Sequence, residues 1–430
     1  MLIYATSGRR ISHNQDTTSC SILYDIKLIK IMIKTAIILA PDDNGLQPIF
    51  GTPAVRRLST LLLQQGIKSI HLVGRVTPFR QLLSDLIPSN AFHQMDDPAL
   101  LDGLQNTLRL AKDEHILVLK ANHVTDILSL TRLTKACKGI GVYFMKAGNE
   151  YGDGLYVVGT ADLVNALHVL WLPSEFNTKF SERPEIIKGI GGLPYAVEHG
   201  YDQAKIAEDR LLAATSLQTE MDDGFLARHV DRRISRFISK RLSHTKISPN
   251  QITICGMTIG LVGAFFLSCP GYWLQFMGSL LFLFCVIIDG VDGEIARLKL
   301  KATRFGHYLD VITDNIVHVA VFVGIAFGLY NETGNIIYLY SLWLLMGGFC
   351  VCVIAVYFCI LRLSPDEIKQ APKALRLMAL LTNRDFAYLI VALAVIHRLN
   401  WFLIGSAAGT YIFAFILWIV SSRETRVALS

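Results

Sequence analysis

Residues 289–297 read Asp-Gly-Val-Asp-Gly-Glu-Ile-Ala-Arg; eight residues later, 306–314 read Gly-His-Tyr-Leu-Asp-Val-Ile-Thr-Asp. Asp289, Asp292, Asp310 and Asp314 therefore sit at the end of one apolar stretch and the start of the next. Charge at a membrane boundary is costly unless something pairs with it, so carboxylates placed there point to function. Sharing a site, they would repel one another and raise each other's pKa. A bound divalent cation relieves that repulsion, and oxygen-only ligands suit Mg²⁺, Mn²⁺ or Ca²⁺. Asp289 and Asp292 are three apart, Asp310 and Asp314 four apart, and either spacing puts a pair on one helix face. A loop of about seventeen residues is expected between the two helices, long enough for them to run antiparallel with the pairs facing. Gly293 and Ala296 continue the first face almost without side chain, which leaves room for a bulky ligand. Gly306 reads either as a point of close approach or as a packing glycine.

Working outward, residues 250–420 are dominated by apolar runs, whereas 1–220 have the composition of a water-soluble region. Six apolar segments can be drawn: 250–268, 272–290, 308–330, 336–361, 385–398 and 401–421, the fifth being short for the ~20 residues that cross a bilayer. The 289–315 link carries Arg297, Lys299, Lys301 and Arg304; the 362–384 link carries Arg362, Lys369, Lys373, Arg376 and Arg384. The positive-inside rule puts these links, both termini and the four aspartates on the cytoplasmic side of the cell or inner membrane. Tyr272, Trp273 and Trp401 fit an aromatic belt on the other side. The net charge of +6 is modest and clusters beside the apolar runs, which suits an anionic bilayer rather than nucleic acid. The eight cysteines include no C-x-x-C pair and lie mostly in apolar runs, so they read as small buried hydrophobes.

Before the first span, Leu226, Val230, Ile234, Ile238 and Leu242 recur every four residues, and Arg228, Arg232, Arg236 and Lys240 recur on another face. Residues 222–246 thus read as an amphipathic juxtamembrane helix, anchoring to anionic lipid or binding substrate phosphate. Ser248-Pro249-Asn250 breaks that helix, and Ile252-Thr253 opens the first span.

The complete pattern, D-x2-D-G-x2-A-R-x8-G-x3-D-x3-D, resembles the signature of the CDP-alcohol phosphatidyltransferase family. The matching positions are Asp289, Asp292, Gly293, Ala296, Arg297, Gly306, Asp310 and Asp314. Pro249-Asn-x-Ile-Thr is similar to the opening of that family's first span. The resemblance implies an enzyme with Mg²⁺ (or Mn²⁺) as cofactor, a CDP-linked donor and a hydroxyl acceptor as partners, and CMP as the leaving group. It implies Asp289, Asp292 and Asp310 as metal ligands and Asp314 as general base with metal contact. It implies Arg297 on phosphate and CDP near Gly293, Ala296 and Gly306. Asn250 and Thr253 read either as CDP contacts or as turn and helix cap. Asn315 departs from the basic residue common in relatives, and Arg232, Arg304, Arg362 and Lys369 are each able to line an acceptor's anionic pocket. A homodimer is compatible with the family, though no interface is legible.

Residues 32–218 alternate strands and helices: a strand at Thr35–Ala40, a helix at 54–65, strands at 67–74 and 115–122. Alternation of this kind argues for a doubly wound α/β domain. The order is similar to a sugar-nucleotide-type nucleotidyltransferase, through Ile37-Ile-Leu-Ala, Gln47-Pro-Ile-Phe-Gly-Thr-Pro, Gly154-Leu-Tyr-Val-Val and Ala207-Glu-Asp-Arg-Leu-Leu. Its catalytic features are missing: Pro41-Asp-Asp-Asn-Gly-Leu replaces the glycine-rich loop, Gln47 the lysine, and Asn122 the metal-binding aspartate. The domain is therefore expected to be degenerate, since a hard cation needs carboxylates.

Residues 1–31 read as a disordered leader without a cleavable signal, and 247–425 as the membrane domain. The whole order resembles the bifunctional inositol-phosphate cytidylyltransferase/di-inositol-phosphate-phosphate synthase family. Two other readings stay open: an active cytidylyltransferase in the soluble half, and a non-enzymatic membrane scaffold or transporter.

Overall fold

A computed structural model describes residues 33–94, 115–136, 143–146, 154–160, 163, 185–187, 192–198, 200–220, 227–361 and 385–429. The chain separates into two compact units, Ile29–Gln218 with Leu298–Leu300, and Thr219–Arg297 with Lys301–Ser430. The expected leader, residues 222–226 of the juxtamembrane helix and the basic 362–384 link lie outside the described residues.

The first unit is built on β1 (Thr35–Ala40), α1 (Ala54–Gln64), β2 (Ser69–Gly74), α2 (Thr77–Leu83), β3 (Phe92–Gln94) and β4 (His115–Lys120). It continues through α3 (Ile127–Ala136), β5 (Tyr143–Lys146), β6 (Gly154–Gly159), β7 (Glu185–Ile186) and α4 (Tyr201–Glu220). Seven strands pair in the order β7-β5-β6-β4-β1-β2-β3. β1 runs parallel to β2 and β4, and β6 is antiparallel to β4 and β5. Ala36, Ile37, Ile38 and Ala40 of β1 are all fully buried, as a central strand covered on both faces must be.

The second unit is helical: α5 (Arg232–Ser243, preceded by a π turn at Ala227–Asp231), α6 (Pro249–Ser268), α7 (Tyr272–Leu298) and α8 (Arg304–Thr333). α9 (Ile337–Val356), α10 (Phe386–Val395) and α11 (Leu399–Leu429) follow. Among the described residues, five helices are long and apolar enough to cross a membrane: α6, α7, α8, the α9 segment running to Cys359, and α11 up to Ser422. The fifth expected segment, 385–398, corresponds to α10, whose ten residues extend only ~15 Å, half the hydrocarbon core. His397 at φ 55 turns the chain immediately after it.

The seventeen-residue loop is also corrected. α7 runs past its apolar part to Leu298 and α8 begins at Arg304, leaving only 299–303 between them. Leu300 adopts φ 53 and the Lys301 amide donates to the Ala296 carbonyl, the left-handed closure that ends a helix. Thr303 then caps α8, its hydroxyl accepting from the Gly306 amide at 3.0 Å. The apolar content stops before the helical hydrogen bonding does, so the signature lies on two helices rather than in a loop.

Candidate active site

α6 starts with a capping box: Ser248 accepts from the Gln251 amide, the Gln251 side chain accepts from the Ser248 amide, and Pro249 occupies the first turn. This start fixes the entry of the chain into the bilayer-crossing helices. Close approach then aligns α6 with its neighbours. A Cβ on Gly324 of α8 would lie 2.3 Å from the Ala264 carbonyl oxygen, and one on Gly328 would lie 2.0 Å from that of Leu267. A Cβ on Gly260 of α6 would meet Val317 Cγ1 at 2.6 Å and Cys285 Sγ at 2.9 Å. Small residues let the backbones touch where no hydrophobic force draws helices together within lipid.

That packing carries the acidic residues into register. One oxygen each from Asp289, Asp292 and Asp310 lies within 4.8 Å of the others. Asp292 is buried, while Asp289 and Asp310 are half-buried. Asp314 is half-buried one turn further along α8 and stands outside this three-way cluster. Three carboxylates at this separation form a hard, oxygen-only donor set of the kind that holds a small divalent cation. The residues present therefore fit the implied Mg²⁺ or Mn²⁺.

The other expected residues gather around it. The Thr253 hydroxyl donates to Asp292 Oδ2 and lies 3.2 Å from the Pro249 carbonyl oxygen. Thr253 is thus a tether on a carboxylate of the acidic cluster as well as a residue of the helix start. Asn250 Oδ1 is 3.0 Å from where a Cβ on Gly306 would stand, so the missing side chain at Gly306 leaves room for the Asn250 amide. On α7, the Arg297 guanidinium lies against Gly293, with Nη1 3.4 Å from a Cβ built there. Ala296 is half-buried between them in sequence. Asn315 turns back on its own helix, donating to the Val311 carbonyl at 2.6 Å.

Arg232 does not line an open pocket. It is buried and pairs with Glu294 at 3.1 Å, and Glu294 also accepts from Ser235 at 3.0 Å and Ser239 at 2.6 Å. Sequence reading missed Glu294, which occupies an unspecified position of the signature. The spacing of Arg232, Ser235, Ser239 and Ser243 along α5 was its only signal. Arg304 is exposed at the start of α8, and Arg362 and Lys369 fall outside the described residues.

In the α/β unit, Asn122 is nearly buried and its amide Nδ2 donates to the Val197 carbonyl at 3.1 Å. A carboxylate there would have no proton to give. The amide serves as a structural tie at the position expected for a metal-binding aspartate.

Residues 246–421 match the family described as CDP-alcohol phosphatidyltransferase. This region is a CDP-alcohol phosphatidyltransferase domain. The chain is accordingly an integral membrane protein, with an α/β domain ahead of the phosphatidyltransferase helices. It is 31% identical over 154 residues to the bifunctional IPC transferase and DIPP synthase of Thermococcus kodakarensis, a stretch covering 33% of this chain and 34% of that protein. It is 37% identical over 101 residues to the phosphatidylinositol phosphate synthase of Mycobacterium tuberculosis, covering 24% of this chain and 46% of that one. The matched stretches span about a third of the former relative and about half of the latter. The solved inositol-1-phosphate CTP transferase from T. maritima overlaps 42% of this chain and 96% of its own at 9% identity, with a TM-score of 0.30.

Proposed function

We propose that this chain is a membrane-embedded, divalent-cation-dependent transferase that moves a substituted phosphate from a CDP-linked alcohol to an acceptor hydroxyl, releasing CMP. The observation that carries the reading is the convergence of Asp289, Asp292 and Asp310 from two neighbouring helices of a phosphatidyltransferase domain. A bound Mg²⁺ or Mn²⁺ would neutralise charge on the donor's diphosphate. Asp289, Asp292 and Asp310 hold it, and Thr253 keeps Asp292 in place.

In this mechanism the acceptor oxygen forms a bond to the phosphorus distal to cytidine, and the bond from that phosphorus to the bridging oxygen breaks. CMP departs with the electron pair, and a new phosphodiester remains. Asp314 takes the acceptor proton, as a carboxylate one turn from the metal ligands can. Arg297 contacts phosphate, where a guanidinium forks onto two oxygens. Gly293, Ala296 and Gly306 leave room for the CDP moiety, with Asn250 at its edge. Positioning and charge neutralisation dominate such chemistry, and little covalent work falls to the protein.

The donor is CDP-diacylglycerol or a CDP-polyol such as CDP-inositol. The names of the relatives support both, one being a phosphatidylinositol phosphate synthase and the other a bifunctional IPC transferase and DIPP synthase. We assign residues 32–218 to a degenerate nucleotidyltransferase-like domain, 222–246 to the juxtamembrane helix and 247–425 to the transferase, with both termini and the active site cytoplasmic. The hydrogen bond from Asn122 to Val197 supports an inert α/β domain. The experiment is donor profiling: purified full-length protein is offered CDP-diacylglycerol and several CDP-polyols with Mg²⁺ while CMP is followed. CMP formation with one class identifies the donor; none with any donor would overturn the reading.

A further inference from the structure

Glu294 lies two residues past Asp292 on α7, and so on the other side of the helix. Its side chain is fully shielded from solvent, and its oxygens accept from Arg232, Ser235 and Ser239, all on α5. α5 thus buries a polar face, Arg232, Ser235, Ser239 and Ser243, and leaves Phe237 62% exposed. An apolar contact accompanies the polar one: Ile238 and Leu242 of α5 pack against Ile252, Val291 and Ile295.

We propose that Glu294 is a positioning residue for the transfer reaction. With Arg232, Ser235 and Ser239 it fixes the rotation of α7 about its own axis, and hence the direction in which Asp289 and Asp292 present oxygens to Asp310. Apolar packing is non-directional and tolerates a helix rolling in its groove. A carboxylate gripped by three donors, one of them a guanidinium, admits one orientation. The lever is short: a roll of roughly 20° at a side-chain radius of about 5.5 Å displaces a carboxylate by about 2 Å. Metal–oxygen distances tolerate only about 0.2 Å. The back of α7 is therefore pinned by Glu294 while Thr253 pins the front through Asp292.

This inference rests on the proposed function, but its test separates the two. Full-length protein and the variants Glu294→Gln, Ser239→Ala, Arg232→Met and Arg232→Met/Glu294→Gln are titrated with Mn²⁺ by electron paramagnetic resonance without donor. The kcat and KM for CMP release are then measured. Glu294→Gln is expected to weaken Mn²⁺ binding about tenfold or more, as loss of a group supporting metal ligands does. It should lower kcat while leaving the donor KM nearly unchanged. Ser239→Ala shifts both in the same direction by less, and the double variant is no worse than its worse parent. A folded Glu294→Gln protein with wild-type Mn²⁺ affinity overturns the proposal. If that variant does not fold, Ser239→Ala decides, and unaltered Mn²⁺ affinity there overturns it equally. Wild-type protein that binds Mn²⁺ but releases no CMP counts against the transferase reading, while the Mn²⁺ shift still reports on Glu294.

Discussion

The Thr253 hydroxyl donates to Asp292 Oδ2, tying the first turn of one bilayer-crossing helix to a carboxylate on the next. Charge-assisted hydrogen bonds of this kind orient a metal ligand and remove one of its rotational freedoms. Thr253→Val, which keeps the shape and loses the donor, should raise the Mg²⁺ concentration for half-maximal activity by about tenfold or more. Thr253→Ser should restore most of it. A Mg²⁺ titration of CMP release checks both variants.

Asp314 stands outside the cluster formed by Asp289, Asp292 and Asp310, which separates their expected defects. Asp314→Asn should cut CMP release by about 10²–10⁴, the range for loss of a general base, with metal affinity largely retained. Asp289→Asn and Asp310→Asn should lose metal affinity itself. Direct metal titration alongside initial rates distinguishes the two patterns.

Helix contacts through glycine predict a stability difference. Gly328→Ala puts a methyl group 2.0 Å from the Leu267 carbonyl oxygen and should destabilise the helical unit by about 1–3 kcal/mol, the range for overpacking. Gly405→Ala, on α11 with nothing within 4 Å of the new Cβ, should be neutral or stabilising by up to about 1 kcal/mol. Thermal unfolding in detergent measures both.

The α/β unit carries its own acid sensitivity. His71 and His93 are buried side by side, Nδ1 to Nε2 at 3.1 Å, and Ser69 Oγ lies 2.9 Å from His71 Nε2. Burial, with the adjacent His93 second, lowers His71 from 6.5 to about 4. The neutral ring is thus favoured on folding. The stability this confers is complete above pH 6.5 and is lost as pH falls from there through about 4. Its full size is about 3 kcal/mol, from 1.36 kcal/mol per pKa unit. Unfolding of the α/β unit followed from pH 7 to pH 4 should show this loss, and His71→Gln should flatten the profile.

The signature and the soluble strands were legible for physical reasons. A largely buried central strand such as Thr35–Ala40 reads as a nearly continuous apolar run, and carboxylates at a bilayer edge stand out against their surroundings. The span boundaries were less legible, because the helix through Asp289 and Asp292 continues by hydrogen bonding after its hydropathy ends. The apolar stripe leading into and along α5 divides between two surroundings for a geometric reason. A four-residue recurrence drifts about 40° per step on a helix of 3.6 residues per turn. Val230 and Ile234 accordingly end exposed, while Ile238 and Leu242 pack inward. Glu294 had no local mark, since its partners lie more than fifty residues away in sequence.

The most direct measurement is CMP formation from a CDP-linked donor by wild-type and Asp292→Asn protein, each stripped with chelator and then resupplied with Mg²⁺. The account predicts no CMP from stripped wild-type protein, full recovery on adding Mg²⁺, and no recovery in Asp292→Asn at the same concentration. Equal CMP formation by the stripped wild type, or by folded Asp292→Asn, would contradict it.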